Sequence, residues 1–232
     1  MTLNYRDYIN KPMTREEFEN LCHEIYTQKY MIDCNYSFTR NDNVQNDDDF
    51  AETIINICGR EGRILIGGCG CGGVVEKLKS KGVEVFGFDI SSAIEDEVHV
   101  SPKIRRFVKR GSCYQIPFTD HFDYYVTADV LEHIPFNLLK DCAEEIKRFQ
   151  FKKMIHVIGT AYPDDGNDGN IGHITFQEYK WWASLFEDYV DVSEKYKNPR
   201  IWKRTFKVGV NPGAIVYERK DLIKKDENAD LV

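Results

Sequence analysis

Short apolar runs near 63–67, 83–88, 104–109, 122–127 and 153–158 predict strands, and segments near 73–80, 91–98 and 136–149 predict helices between them. Strict alternation of the two implies right-handed crossovers and a parallel sheet. Further along, 185–192 and 214–218 read as two more strands, separated by turns at Asn198-Pro199 and Asn211-Pro212-Gly213. Upstream, Thr14-Arg15-Glu16-Glu17 is a capping box that opens a helix running to about Met31. Its apolar positions Phe18, Leu21, Cys22, Ile25 and Tyr26 share one face. Residues 35–49 are rich in Asn and Asp and read as a loop, with Asp47 to Asp49 placed to cap a helix over about 50–58.

Candidate chemistry sits where the first strand ends. Arg63-Ile64-Leu65-Ile66 runs into Gly67-Gly68-Cys69-Gly70-Cys71-Gly72, and the second apolar run ends on Asp89. Strand, glycine loop, helix, strand and acid is the order that places an adenosine group at the carboxyl end of a parallel sheet. A strand that turns at once into a helix needs backbone angles a Cβ forbids, and a ligand close to the main chain leaves no room for side chains. The helix after the turn offers free N–H groups at its start. A carboxylate at 89 can accept two hydrogen bonds from a ribose diol. The spacing is Gly68-x-Gly70-x-Gly72, not the G-x-G-x-x-G of a dinucleotide site, and no Tyr-x-x-x-Lys pair is present. Both absences weigh against an NAD-dependent oxidoreductase.

Two further segments sharpen this. Phe122-Asp123-Tyr124-Tyr125-Val126-Thr127-Ala128-Asp129 leads into Val130-Leu131-Glu132-His133-Ile134-Pro135, and upstream lies Gly111-Ser112-Cys113-Tyr114-Gln115-Ile116-Pro117-Phe118. With the glycine loop, these resemble the class I S-adenosylmethionine-dependent methyltransferases of the small-molecule and glycan type, over about 25–160. The resemblance implies a three-layer, Rossmann-like α/β sandwich: a seven-stranded, mostly parallel sheet whose last strand is antiparallel. It implies S-adenosylmethionine as cofactor, held by Gly68, Cys69, Gly70, Gly72, Asp89, Ile90, Ser112, Cys113 and Asp129. The chain departs from the family's pattern twice: Ile66 stands where an acid often places the methionine amino group, and Ser112 where an acid often meets adenine.

Beyond the fifth strand, 159–173 is polar and aromatic with little to bury, a candidate substrate loop. His173 opens His-Ile-Thr-Phe-Gln-Glu-Tyr-Lys-Trp-Trp, similar to a segment of glycan and small-metabolite methyltransferases. A histidine titrates near neutrality, so His173 is the candidate general base, with His133 and Tyr162 as further catalytic candidates. The plainer alternative has His173 capping a helix over 175–185. Asp164, Asp165, Asp168 and His173 could in principle bind a divalent ion, but acid-rich loops are usually just solvated and no metal is assigned. His156, inside an apolar strand, reads as a core histidine, and of Trp181 and Trp182 one is expected in the core.

At 232 residues and 42% hydrophobic, the chain reads as one domain with additions. These are a helical cap over 1–60, a cofactor-binding domain over 61–220 and a charged tail over 221–232. A net charge of −7 argues against a nucleic-acid partner, and no apolar run or leader predicts a membrane. Seven cysteines form no paired spacing; zinc or redox work by Cys69-x-Cys71 is set aside, and reduced thiols fit a cytoplasmic protein. The expected activity is methyl transfer to a hydroxyl, less readily an amine, of a small metabolite or sugar-bearing precursor, as in polysaccharide or capsule biosynthesis. A methyltransferase-like binding protein without activity is the alternative that Ile66 and Ser112 leave open.

Overall fold

A computed structural model describes residues 5–26, 44–97, 99–159, 173–197 and 214–223. Strand β1 (Arg63–Gly67) lies mid-sheet because Ile64, Leu65 and Ile66 are buried on both faces, at 4% exposure or less. It pairs in parallel with β2 (Glu84–Asp89) on one side and β4 (Tyr124–Ala128) on the other. Beyond them lie β3 (Val108–Arg110) and β5 (Lys153–Val157). The last strand, β7 (Ala214–Arg219), inserts antiparallel between β5 and β6 (Tyr189–Asp191), which gives the order β3-β2-β1-β4-β5-β7-β6. This is the seven-stranded, mostly parallel sheet that the sequence led us to expect.

Two apolar layers cover the two faces. Leu65 points into one with residues of α1 (Arg15–Ile25), α4 (Leu139–Lys147) and α5 (Tyr179–Ala183). Ile64 and Ile66 point into the other, against α2 (Val44–Cys58) and α3 (Gly73–Ser80). Alternation along one strand therefore builds the three-layer sandwich. Ile66, at the position of the family's acid, is a core residue of that second layer.

Several boundaries differ from expectation. The Thr14 box forms, with Thr14 Oγ1 accepting from Glu17 N–H at 3.2 Å, but α1 ends at Ile25. Helix α2 starts at Val44, so Asp47 to Asp49 lie inside it instead of capping it; acids in its first turns suit the helix dipole, and Asp48 and Glu52 reach Lys81 at 3.0 and 2.7 Å. The expected helix over 91–98 is one 3₁₀ turn, Ser92–Glu95, capped by Ser91. The strand expected over 104–109 is shortened to Val108–Arg110, because Ile104 is apolar to fill space beside Gly72, not to pair in the sheet. The helix expected over 175–185 is reduced to Tyr179–Ala183. Among the described residues no helix is long and apolar enough to cross a membrane.

Candidate functional site

The carboxyl ends of β1, β2 and β4 meet around the glycine turn. Gly68, Gly70 and Gly72 take φ values of 65°, 54° and 82°, the left-handed region that a Cβ disfavours. The turn is closed by Cys69 N–H donating to Phe88 O at 3.0 Å and Gly72 N–H donating to Cys69 O at 2.9 Å. A Cβ on Gly68 would lie 2.2 Å from Val130 Cγ2, and one on Gly72 would lie 2.3 Å from Ile104 Cδ1. Here the structure corrects the sequence argument: at these two positions the chain's own side chains, not a ligand, occupy the space that glycine leaves.

Asp89 is the centre of the polar geometry. Its Oδ2 accepts Gly70 N–H at 2.8 Å and its Oδ1 accepts Ser91 N–H at 2.9 Å. Burial raises its pKa above the usual carboxylate value, opposed by N–H donors from Ser91, Gly70 and Ile90. With three backbone donors on its two oxygens, the carboxylate still keeps acceptor capacity for an incoming hydroxyl. Hydroxyl donors such as those of a ribose suit that capacity, so the residues present fit the nucleoside of S-adenosylmethionine.

The other expected cofactor residues gather nearby or support the turn. Gly111 N–H donates to Asp89 O at 2.9 Å, which sets Ser112 beside the end of β2, and Ser112 and Gln115 close a small loop by exchanging backbone bonds at 3.3 and 3.1 Å. The Cys113 thiol turns inward, where Tyr125 OH donates to it at 3.4 Å, leaving its backbone for a ligand. Ile90 packs half-buried on the core. The Cys69 thiol is a packing group: it fills the space over Gly87, and burial pushes its pKa well up. Asp129, exposed with φ 54°, anchors its N–H on Val157 O at 2.9 Å and directs Val130 against Gly68.

A second polar cluster adjoins the first. Glu132, in the 3₁₀ turn Leu131–His133 after β4, is fully buried. Its Oε1 accepts Gly159 N–H, and its Oε2 has no hydrogen-bond partner among the described residues. Burial, then the charge of Asp129, raise its pKa well above the carboxylate range. The Glu132 carbonyl accepts N–H of Ile174 and Thr175 at 2.9 and 3.0 Å, which brings His173 to 3.9 Å from Glu132 Oε1. The His133 and His173 rings meet edge-to-face at 4.7 Å. Burial lowers the pKa of His173 and keeps it neutral at pH 7.

Tyr26 joins the two clusters: its carbonyl accepts Ser91 Oγ at 2.9 Å, and its ring lies 6.4 Å from that of His133. His173 thus stands with His133, and it does not cap α5, which starts at Tyr179. Tyr162, Asp164, Asp165 and Asp168 lie outside the described residues. Sequence reasoning missed Glu132; the available signal was one carboxylate inside the apolar run Val130-Leu131-Glu132-His133-Ile134. His156 is in the core as expected, its Nδ1 2.7 Å from Thr127 Oγ1, with Trp182 the buried member of the tryptophan pair.

Residues 65–150 match a family model described as a methyltransferase domain. No curated protein matches the chain. Among solved structures, the chain is similar to the 1,6-didemethyltoxoflavin-N1-methyltransferase of Burkholderia thailandensis, determined with bound 1,6-didemethyltoxoflavin and S-adenosylhomocysteine. That match has 12% identity and a TM-score of 0.59, covering 90% of this chain and 92% of the other. It is also similar to the PH0226 protein of Pyrococcus horikoshii, at 20% identity and TM-score 0.53, covering 84% of this chain and 99% of that one. A third is the magnesium protoporphyrin IX methyltransferase of Synechocystis with bound S-adenosylhomocysteine, at 13% identity and TM-score 0.52, covering 76% and 83%. At such identities these structures speak for the fold, and the family match over 65–150 speaks for the activity it carries. Residues 65–150 thus carry a methyltransferase-domain match, set in a fold that solved S-adenosylmethionine-dependent methyltransferases share, and the Asp89 geometry lies at its centre.

Proposed function

We propose that the chain moves the methyl group of S-adenosylmethionine to a hydroxyl of a small metabolite or sugar-bearing precursor. One observation carries this reading: a half-buried carboxylate at Asp89, fixed by Gly70, Ser91 and Ile90 N–H at the end of β2, beside the glycine turn. When bound, the cofactor supplies a methyl group already activated on a sulfonium. The chain's own work is alignment and proton handling. Alignment of a reacting pair supplies about 7 kcal/mol or more. The backbone of Cys69 and Gly70 borders the nucleoside in the turn that Gly68 and Gly72 shape, Asp89 takes the ribose diol, and Ile90 with Ser112 and the Cys113 backbone borders adenine. Asp129 completes the rim. The cap formed by α1 closes over both clusters through Tyr26.

The acceptor side is the Glu132–His133–His173 cluster. An alcohol needs a base to lose its proton, worth roughly 10²–10⁴-fold, whereas an amine attacks with its own lone pair. A histidine held neutral at 173 suits the alcohol, with His133 orienting its ring and Tyr162 assigned to the acceptor. Small acceptors are in keeping with the Burkholderia and Synechocystis enzymes, named for a didemethyltoxoflavin and a porphyrin. The sugar assignment and a place in polysaccharide or capsule synthesis rest on the segment from His173 to Trp182, and the cytoplasmic assignment rests on cysteine usage. The test is release of S-adenosylhomocysteine from S-adenosylmethionine across a panel of hydroxylated metabolites and nucleotide sugars, read by chromatography. Turnover with a hydroxylated member, lost in His173→Ala, supports the reading. Turnover only with amines would overturn the hydroxyl assignment, and tight binding without turnover on any acceptor would make the chain a binding protein.

A further inference from the structure

We infer that Glu132, His133 and His173 form a site for one divalent transition-metal ion of the zinc kind, which holds the acceptor oxygen. The role given to the ion rests on the methyltransferase reading; the site itself does not. One ligand atom from each of the three side chains lies within 4.8 Å of the others. Nitrogen and oxygen ligands about 2.0–2.2 Å from a tetrahedral ion stand roughly 3.2–3.6 Å apart. Small rotations of three side chains close that gap.

The surroundings favour a cation. Glu132 is fully buried, with one oxygen bonded to Gly159 N–H and the other lacking a partner among the described residues. A buried carboxylate in that condition is costly unless it carries a proton or meets a cation. Asp129 adds negative charge felt at Glu132. His173 Nδ1 is buried and likewise has no hydrogen-bond partner among the described residues. Two histidines and one carboxylate are a donor set for borderline ions such as zinc, not for magnesium, which prefers oxygen.

The scaffold is built to hold this set. The Glu132 carbonyl receives Ile174 and Thr175 N–H, and Thr175 Oγ1 donates to Ile134 O at 2.6 Å, so the segment bearing His173 is locked to the turn bearing the other two. Gly159 admits no side chain, since a Cβ there would lie 2.7 Å from both Glu132 Oε1 and His173 Cε1. Three protein ligands leave coordination positions open, the pattern of a catalytic site. An acceptor with two neighbouring oxygens, such as a vicinal diol or hydroxy acid, fills them. Its ion-bound hydroxyl releases a proton to solvent. The oxygen lone pair then forms the O–CH3 bond while the C–S pair returns to sulfur, leaving a neutral thioether. With the ion present, both histidines donate lone pairs to it instead of taking the proton.

The experiment uses untagged full-length chain stripped with a chelator, with no cofactor or acceptor added. It is titrated with Co²⁺ followed by visible d–d absorption, and with Zn²⁺ by calorimetry. The expected result is one equivalent bound, with affinity weakened at least about 10-fold in His133→Ala and in His173→Ala. Glu132→Gln is expected to do the same, and the histidine variants carry the test should that one fail to fold. Absence of Co²⁺ bands up to about 1 mM, or unchanged affinity in both histidine variants, overturns the inference. S-adenosylhomocysteine affinity, measured separately on the same samples, reports the methyltransferase reading, so the two can fail independently.

Discussion

Replacing Asp89 by Asn isolates the charge that the account places under the ribose. The side chain keeps its shape, but one oxygen becomes an NH2 group. In the wild type both oxygens accept backbone N–H, from Gly70 at 2.8 Å and Ser91 at 2.9 Å. Whichever way the amide turns, one of those N–H groups then faces a donor. That cost of about 1–3 kcal/mol is present with or without ligand, so it lowers stability and not affinity. For a chain of this size it corresponds to roughly 2–4 °C in Tm per kcal/mol, reduced by relief of the buried charge. Affinity falls for a different reason. Two hydrogen bonds from the ribose lose a charged acceptor, at about 1–1.5 kcal/mol each. Their sum of about 2–3 kcal/mol is a roughly 30–150-fold rise in Kd for S-adenosylhomocysteine, read by calorimetry. A folded Asp89→Asn protein that binds within about 3-fold of wild type would refute the reasoning.

Three further outcomes are expected. Gly68→Ala should cost about 2–4 kcal/mol of stability through its positive φ and its clash with Val130, and adding Val130→Ala should restore only the steric part; equal loss in single and double variants by chemical denaturation would rule out that contact. His156 is held neutral because burial lowers its pKa from 6.5 to about 3, so its contribution is present above 6.5 and lost as pH falls below it. The wild type should therefore lose stability relative to His156→Phe as pH falls below 6.5, with the slope approaching about 1.4 kcal/mol per pH unit between pH 5.5 and 4, and parallel pH profiles of stability would contradict this. Thr14→Ala, which opens the capping box of α1, should cost about 1 kcal/mol, measured as a lowered thermal midpoint.

The central strands and α3 were legible because their residues obey one rule over their whole length. Ile64, Leu65 and Ile66 are apolar since both faces are covered, and Gly73–Ser80 presents Val75 and Leu78 on one face. The region between β2 and β3 was not, because apolar residues there serve packing: Ile104 plugs the space over Gly72 and mimics a strand position. Asp89 was readable from its place at the end of a strand. The glycine turn was read correctly as a turn, but the occupant of the space beside it was not, since Val130 arrives from the turn after β4. Glu132 was hidden for the same reason. Its burial comes from Gly159 and from the Ile174–Thr175 backbone, more than 25 residues away in the chain.

A crystal structure of the chain with S-adenosylhomocysteine tests the central claim most directly. The account predicts both ribose hydroxyls within about 2.6–3.2 Å of the Asp89 oxygens, with the nucleoside lying along the 68–72 backbone. A nucleoside bound away from Asp89, or one whose diol faces solvent, would contradict it.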